Sequence, residues 1–330
     1  MLRILHDTNY DFIRWWKVMV AITVAFILLG LGSLAIKPPN YSIEFTGGTL
    51  MQLEFTQQPD VGEIRSTLDQ AGIHGAEIQQ FGTNREFTVR AQNRETVAAQ
   101  ARGAESIAVT IEQVLKKKFG ENNVKVVRTE AVGPRVGQEL KNGAIIAILL
   151  SFLITLIYLS IRFEWRFAAA AVIATSHDVF TTIAFLKLMH LEISLTVVAG
   201  LLTVLGYSLN DTIIIFDRVR ENLRKGRKET LYETLNRSIN ETLPRSVLTH
   251  ATVLAATLSL LFFAGEVIRP FAWVMAFGII TGTFSSIYVA APVLLWIERK
   301  WPRSKPGTRQ SSSTATPTSR TQRSPATATR

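Results

Sequence analysis

Six long apolar runs constrain this sequence more than any other feature. Each has the roughly 20 residues that an α-helix needs to cross about 30 Å of hydrocarbon. They span residues 17–36, 143–161, 167–186, 193–216, 246–264 and 271–297. Apolar residues make up 47% of the chain. We therefore predict a polytopic α-helical membrane protein with six transmembrane helices, in which the first run is an anchor and not a cleaved signal peptide.

Residues 37–142, between the first two runs, predict one exterior α+β domain. Its strand patterns alternate polar and apolar residues, and its helix patterns place apolar residues on one face and end at glycine. In order, they are a strand at 51–55, a helix at 59–72, strands at 76–81 and 85–90, a helix at 107–119 and a strand at 124–132. This β-α-β-β-α-β order is that of a ferredoxin-like fold.

Positive charge is concentrated outside the apolar runs and predicts the orientation. Seven Lys or Arg residues lie in the loop predicted at 217–243, and Arg162 and Arg166 flank the turn between the second and third runs. Lys and Arg in short loops favour the cytoplasmic side. We expect both termini in the cytoplasm, residues 37–142 on the exterior side, and residues 143–298 as a five-helix bundle.

The formal net charge of +10 does not indicate a nucleic-acid-binding protein. Residues 299–330 contribute eight Lys or Arg residues and no acid, within a sequence rich in Ser, Thr and Pro. This composition predicts a disordered cytoplasmic tail, which with the basic loops would contact anionic lipid. The chain has no cysteine, so disulfides and thiolate metal sites are excluded.

Ionisable residues inside the apolar runs are the strongest functional signal. Asp211 lies within the fourth run, His177 and Asp178 near the middle of the third, and Arg245 at the start of the fifth. An ionisable residue in hydrocarbon is costly and marks a functional site by default. A buried carboxyl beside a fixed cation can take up a proton and release it again. Asp211 and Arg245 are therefore a candidate proton relay.

Small and polar residues at helical spacing accompany these groups. Ladders of this kind let helix backbones approach closely in lipid. The sixth run predicts a helix-packing face made of Gly278, Gly282, Ser286 and Ala290, and the fourth run places Tyr207 on the face of Asp211 and Asn210 beside it.

Structural interpretations stay open for each candidate. Arg245 follows Pro244, a favoured first residue of a helix, and so could be an interfacial arginine. His177 could serve only to pair with Asp178, which leaves a polar relay and simple helix packing as alternatives. Asp211 lies too deep for so short a side chain to reach the interface, which favours a function.

Several long motifs resemble those of the SecD/SecF family of protein-export membrane subunits, in the resistance-nodulation-division superfamily. The resemblance covers about residues 10–300 and leaves out the basic tail. The motifs are GYSLNDTIIIFDRVREN (206–222), YSIEFTGGTLMQLEF (41–55), the segment from REN to LPRS (220–246) and IRPFAWVMAFGIITGTFSSIYVA (268–290).

The resemblance implies a function and a set of site residues. It implies an auxiliary subunit of the Sec translocase in the bacterial inner membrane that, with SecD, uses the proton motive force to promote export of unfolded polypeptides through SecYEG. Asp211 in NDT matches the proton-coupling aspartate of the family, and Arg245 in LPRS matches a functional arginine. His177 and Asp178 match a polar pair whose role is less settled.

The resemblance also implies partners. These are SecD as a separate chain, SecYEG and the exported polypeptide, with YajC and YidC as further candidates. The FTGGT motif matches a Gly-Gly element, in which Gly47 and Gly48 favour a tight exterior turn over substrate contact. No cofactor or metal is implied.

Two other functions stay open. A small-molecule or lipid exporter of the same superfamily would need two large exterior loops and about twelve spans, and these motifs fit one loop and six spans. A non-transporting assembly scaffold would use the charged residues only to hold helices together. Because the sequence shows no phosphate loop, no metal-spaced His or Cys set and no nucleophile with a base, we predict that the chain is not an enzyme.

Overall fold

The computed structural model describes residues 8–91, 103–225, 228–265 and 267–302. The predicted disordered tail lies outside these residues from position 303 onward. The described elements, in chain order, are α1 (Trp16–Ile36), α2 (Ile43–Thr46), β1 (Gly48–Phe55), α3 (Val61–Gln70), β2 (Glu77–Gln80), β3 (Glu86–Ala91), α4 (Gly103–Phe119), β4 (Val124–Val132), α5 (Pro134–Arg162), α6 (Trp165–Leu188), α7 (Leu195–Arg224), α8 (Leu231–Phe263), α9 (Arg269–Ser285) and α10 (Ala291–Lys300).

Within the described residues, six helical segments are long and apolar enough to cross a membrane, as predicted. They are α1 with the 3₁₀ turn before it, α5, α6, α7, α8, and α9 continued through a π-helical turn into α10. In the apolar parts of α6, α7 and the last segment, half or more of the residues are buried, whereas only 6% are buried in those of α1 and α5. The centre of the bundle is therefore built from α6, α7 and α9.

The prediction of a loop at 217–243 is wrong over most of its length, because most of these residues are helical. The helix α7 continues to Arg224, and α8 begins at Leu231, where Thr230 and Glu233 form a capping box. In that box Glu233 N–H donates to Thr230 Oγ1, and Thr230 N–H donates to the Glu233 carboxylate. These mutual bonds satisfy amide groups that a helix start leaves unpaired, so α8 begins without an apolar run. Pro244 consequently lies inside α8 and not at its start.

A four-stranded antiparallel sheet with the order β2-β3-β1-β4 forms the centre of the α+β domain. The helices α3 and α4 pack on one of its faces and on each other. Alternate residues of the strands, such as Met51, Leu53, Phe87 and Val89, are buried beneath these helices. The predicted β-α-β-β-α-β, ferredoxin-like fold is confirmed.

The Gly-Gly element and its neighbours join this domain to the membrane helices. Gly47 and Gly48 have φ angles of 72° and 132°, and a Cβ on Gly47 would lie 2.8 Å from Pro134 Cα at the start of α5. In addition, Ile193 O accepts from Ser42 N–H at 2.9 Å. The domain therefore rests on one end of the bundle, which we call the domain end, and the opposite end is the far end.

One carboxylate strengthens this junction. Glu44 of α2 accepts a 2.6 Å hydrogen bond from the N–H of Leu195, the first residue of α7. The N-terminus of a helix carries partial positive charge, which a carboxylate stabilises. Glu44 therefore fixes the start of α7 to the domain.

Candidate functional site

Asp211 is buried at the centre of the bundle, with 2% of its surface exposed. Its carboxylate accepts hydrogen bonds from Ser246 Oγ of α8 and, at 2.8 Å, from Ser286 Oγ of the π-helical turn. Because both donors are neutral hydroxyls on other helices, Asp211 connects three helical segments without an ion pair in these contacts.

Asp178 of α6 is a second buried carboxylate, with 0% of its surface exposed. It accepts hydrogen bonds from Ser208 Oγ of α7 and from Ser285 Oγ of α9, the latter at 2.6 Å. The Nδ1 atom of His177 lies 3.1 Å from the other carboxylate oxygen of Asp178. Asp178 therefore repeats the arrangement of Asp211, with hydroxyls from two neighbouring helices.

The two serines of the last segment each have a second acceptor. Ser286 Oγ lies 2.9 Å from the carbonyl oxygen of Thr283, and Ser285 Oγ lies 3.2 Å from that of Gly282. A hydroxyl carries one hydrogen, so each serine can donate to a carboxylate or to its own helix. These serines mark the change from α-helix to π-helix, a local irregularity that is frequent at functional sites.

Arg245 is exposed and lies apart from the hydrogen-bonded cluster. It lines a polar cavity of about 450 Å³ near the far end of the bundle, together with Asp217, Arg218, Glu221 and Glu241. It directly precedes Ser246, the donor to Asp211, so the two residues point to different sides of α8. Arg245 is thus close to Asp211 only because it is next to Ser246 in α8, and the two charged groups are not in contact.

The remaining polar candidates lie at the edge of this cluster. Tyr207 donates to the carbonyl of Thr249 at 3.3 Å, and its ring packs edge-on against His250 at 5.3 Å. The His250 Nδ1 atom lies 3.0 Å from Thr283 Oγ1. Asn210, next to Asp211, is exposed on the outer surface of α7.

Close contact between α7 and α9 sets the geometry of the cluster. A Cβ on Gly278 would lie 2.3 Å from Val204 Cγ2, and one on Gly282 would lie 3.2 Å from Ser208 Cβ. The backbone of α9 therefore approaches α7 at the level of Ser208. This approach brings the serines of the last segment within reach of carboxylates on α6 and α7.

Comparison with known proteins identifies the family. The SecD/SecF C-terminal family of protein export membrane proteins matches residues 110–300, and the SecD/SecF GG motif matches residues 32–59. A protein translocase subunit SecF from Gemmatimonas aurantiaca is 63% identical over 305 residues, which are 92% of this chain and 91% of the relative. The chain belongs to the SecD/SecF family. The resemblance inferred from the motifs is thereby confirmed.

Other members of the SecD/SecF family extend the match. A SecF subunit from Vibrio alginolyticus is 41% identical over 289 residues, covering 88% of this chain and 90% of the relative. The crystal structure of SecDF from Thermus thermophilus superposes with a TM-score of 0.79 at 34% identity, and SecDF in a super-membrane-facing form superposes with 0.65 at 36%. These matches cover 91% and 90% of this chain but 40% of each SecDF chain.

Sequence reasoning named both carboxylates of this SecD/SecF protein but missed most of their partners. Ser246 and Ser285 were not singled out, and Ser286 was assigned to helix packing alone. Serine is common in membrane helices, so its presence carries little signal. The usable signal is the consecutive pair Ser285-Ser286, in which Ser286 lies on the predicted packing face and Ser285 directly precedes it.

Proposed function

We propose that this chain is an auxiliary subunit of the Sec protein translocase. In this proposal it lies in the bacterial inner membrane and acts with SecD to couple the proton motive force to export of unfolded polypeptides through SecYEG. Its membership of the SecD/SecF family and its similarity to relatives named SecF along most of their length support this role. So does its match to one part of the longer SecDF chains.

The burial of Asp211 among neutral hydroxyls is the observation that carries the proton-coupled mechanism. A buried carboxylate is stabilised by hydrogen bonds, but without a paired cation its charge is costly. Protonation removes that cost, and deprotonation restores the need for both serine donors. In this proposal Asp211 takes up and releases the transported proton.

The serine hydroxyls turn a change of charge into a change of packing. When Asp211 is ionised, Ser246 and Ser286 both donate to it. When it is protonated, Ser286 is free to donate to the carbonyl of Thr283 instead. Each turnover thus alters the contact between α7 and the last segment, and the same exchange is available between Asp178 and Ser285.

Arg245 acts in this proposal as a fixed charge at the far end. The cavity that it lines contains five further charged residues and provides a polar path toward the membrane surface. Because arginine stays protonated, it contributes its charge to this cavity and does not carry the proton itself. Its position beside Ser246 joins this cavity to the donor of Asp211.

Orientation and the SecD interface complete the proposal. The far end, with its Lys and Arg residues after Asp217, faces the cytoplasm, and the α+β domain is periplasmic.

The amide of Asn210 is exposed on the membrane part of α7, where lipid cannot provide it with hydrogen-bond partners. Contact of this surface with SecD would provide hydrogen-bond partners and exclude lipid.

Replacement of Asp211 by Asn tests the mechanism in the complete complex. The variant keeps the size of the side chain but cannot be ionised, so export that depends on the proton gradient should fall to the level measured with an ionophore. Asp69→Asn, at a half-exposed position of the α+β domain, is the matched control. If Asp211→Asn assembles with SecD and retains gradient-dependent export, the proton-coupled mechanism is wrong and a scaffold function is favoured.

Arg245→Lys should retain more export than Arg245→Met, because only lysine keeps the charge.

A further inference from the structure

A cavity of about 680 Å³ lies where the α+β domain meets the membrane helices. Its walls come from the ends of α1 and α6, the starts of α5 and α7, and β3 of the domain. This volume is within the range of sites that hold small organic ligands. Neither the carboxylate cluster nor the polar cavity at the far end shares a residue with it.

Three lysines surround the mouth of this cavity at the level where the apolar helices end. Lys37 follows the last residue of α1, and Lys187 lies one residue before the end of α6. Lys187 Nζ donates to the carbonyls of Lys37 and Pro38 at 2.6 and 3.1 Å, and Lys141 Nζ lies 4.7 Å from the centre of the Tyr41 ring. These partners are neutral, so the positive charge at the mouth is not cancelled by them.

An apolar surface continues from the lysines into the membrane. Ile145 and Ile148 lie about 6 and 10 Å deeper than Lys141 along α5, and Ile183 lies about 6 Å deeper than Lys187 along α6. Arg90 and Glu77 also line the cavity and pair with each other at 3.4 Å, so the three lysines leave its mouth cationic, and the cavity is apolar below. This polarity matches a molecule with an anionic head and a hydrocarbon chain.

The cavity lies between α1 and α5, two helices with large exposed apolar surfaces. Only 6% of the apolar part of each is buried, although both helices pack against α6. A lipid in the surrounding leaflet can thus enter laterally, with its chain beside Ile148 and its head beside the lysines. Lysines near a membrane surface each add attraction for an anionic headgroup.

We propose that this cavity is a binding site for one anionic phospholipid. The phosphodiester contacts Lys37 and Lys141, and one acyl chain covers Ile145 and Ile148. The bound lipid would fill the space between the domain and the bundle and so support the position of the domain. The proposal is independent of proton coupling at Asp211.

Lipid retention by the full-length protein tests the charged part of the site. The protein is purified from nanodiscs of equal phosphatidylglycerol and phosphatidylcholine, and retained lipid is measured by native mass spectrometry. One phosphatidylglycerol should be retained, and the double variant Lys37→Gln/Lys141→Gln should lower its retention on the order of tenfold. Lys17→Gln, at the far end of α1, removes a comparable exposed lysine and should not change it. Equal retention of both lipids, or no loss in the double variant, would overturn the proposal.

A second pair of variants tests the apolar part. Ile148→Trp should fill the floor and displace the lipid, whereas Ile146→Trp, on the exposed face of α5 outside the cavity, should not. A photoreactive side chain at position 145 identifies the occupant in membranes. A cross-link to phospholipid supports the proposal. A cross-link to a polypeptide, from a partner subunit or an exported chain, overturns it.

Discussion

Ser285 and Ser286 are consecutive residues, yet their hydroxyls bind carboxylates on two different helices. Ser285 donates to Asp178 of α6 at 2.6 Å, and Ser286 donates to Asp211 of α7 at 2.8 Å. Successive helical residues point about 100° apart, so a segment packed between two helices can contact both. Any rotation or shift of this one turn changes the surroundings of both acids together.

We expect the two serines to act as a unit. Ser285→Ala and Ser286→Ala should each lower gradient-dependent export, because each removes a hydrogen bond to a buried carboxylate. The double variant should lose about as much as the more severe single variant, since interruption at one point already uncouples the pair. Export rates with and without the gradient measure this in reconstituted complexes. Independent, additive losses would contradict the joint role, and Ser259→Ala, an exposed serine of α8, is the control.

Gly278→Ala should destabilise the bundle by separating α7 and α9. The added methyl group would lie 2.3 Å from Val204 Cγ2, an overlap that costs about 1–3 kcal/mol. Adding Val204→Ala should recover much of this loss. Gly206→Ala, where no atom outside the local helix lies within 4 Å, is the matched control. Denaturant unfolding in detergent gives the free energies, and equal effects at Gly278 and Gly206 would show that helix contact is not the cause.

Gly47→Ala should loosen the connection between the domain and α5. Alanine at φ 72° is strained, and its Cβ would lie 2.8 Å from Pro134 Cα. Hydrogen exchange of the backbone amides of β1 and α2 should therefore become faster. Gly143→Ala, in open space on α5, should leave that exchange unchanged. Unaltered exchange in Gly47→Ala would mean that the turn does not need glycine.

Glu44→Gln should weaken the hold of the domain on α7. Glutamine can still accept a hydrogen bond from Leu195 N–H, but it lacks the charge that favours a helix N-terminus by about 0.3–1 kcal/mol. We expect broader distance distributions between spin labels on the domain and on the bundle. Glu54→Gln, at a half-exposed position on β1 that faces Lys125 and not the bundle, is the control. A distribution as narrow as that of the unmodified protein would exclude this role of the charge.

Sequence patterns predict most of the fold because most of its elements carry their own signal. Hydrocarbon thickness sets the length of an apolar run, and alternation sets the faces of a strand. The first turns of α8 lack such a run because they extend beyond the apolar part of the helix, and only the Thr230 and Glu233 capping box marks their start. That missing signal is why Pro244 was placed at a helix start.

The site was less predictable because it depends on distances between helices. Periodicity shows which residues share a face but not which faces meet. Asp211 was found because a carboxylate in an apolar run is conspicuous, whereas Ser246 was missed because its importance arises only from its contact with that carboxylate. For Arg245 the sequence predicted contact with Asp211, which the structure does not have. Arg245 directly precedes Ser246, but consecutive helical residues face different directions, so Arg245 points away from the carboxylate.

The bond from Glu44 to the first residue of α7 has a mechanical consequence. The same helix carries Asp211 about 24 Å further along its axis. An axial displacement of α7 at Asp211 therefore also displaces the domain that is bound to the start of the helix. One helix thus links the buried carboxylate to the α+β domain.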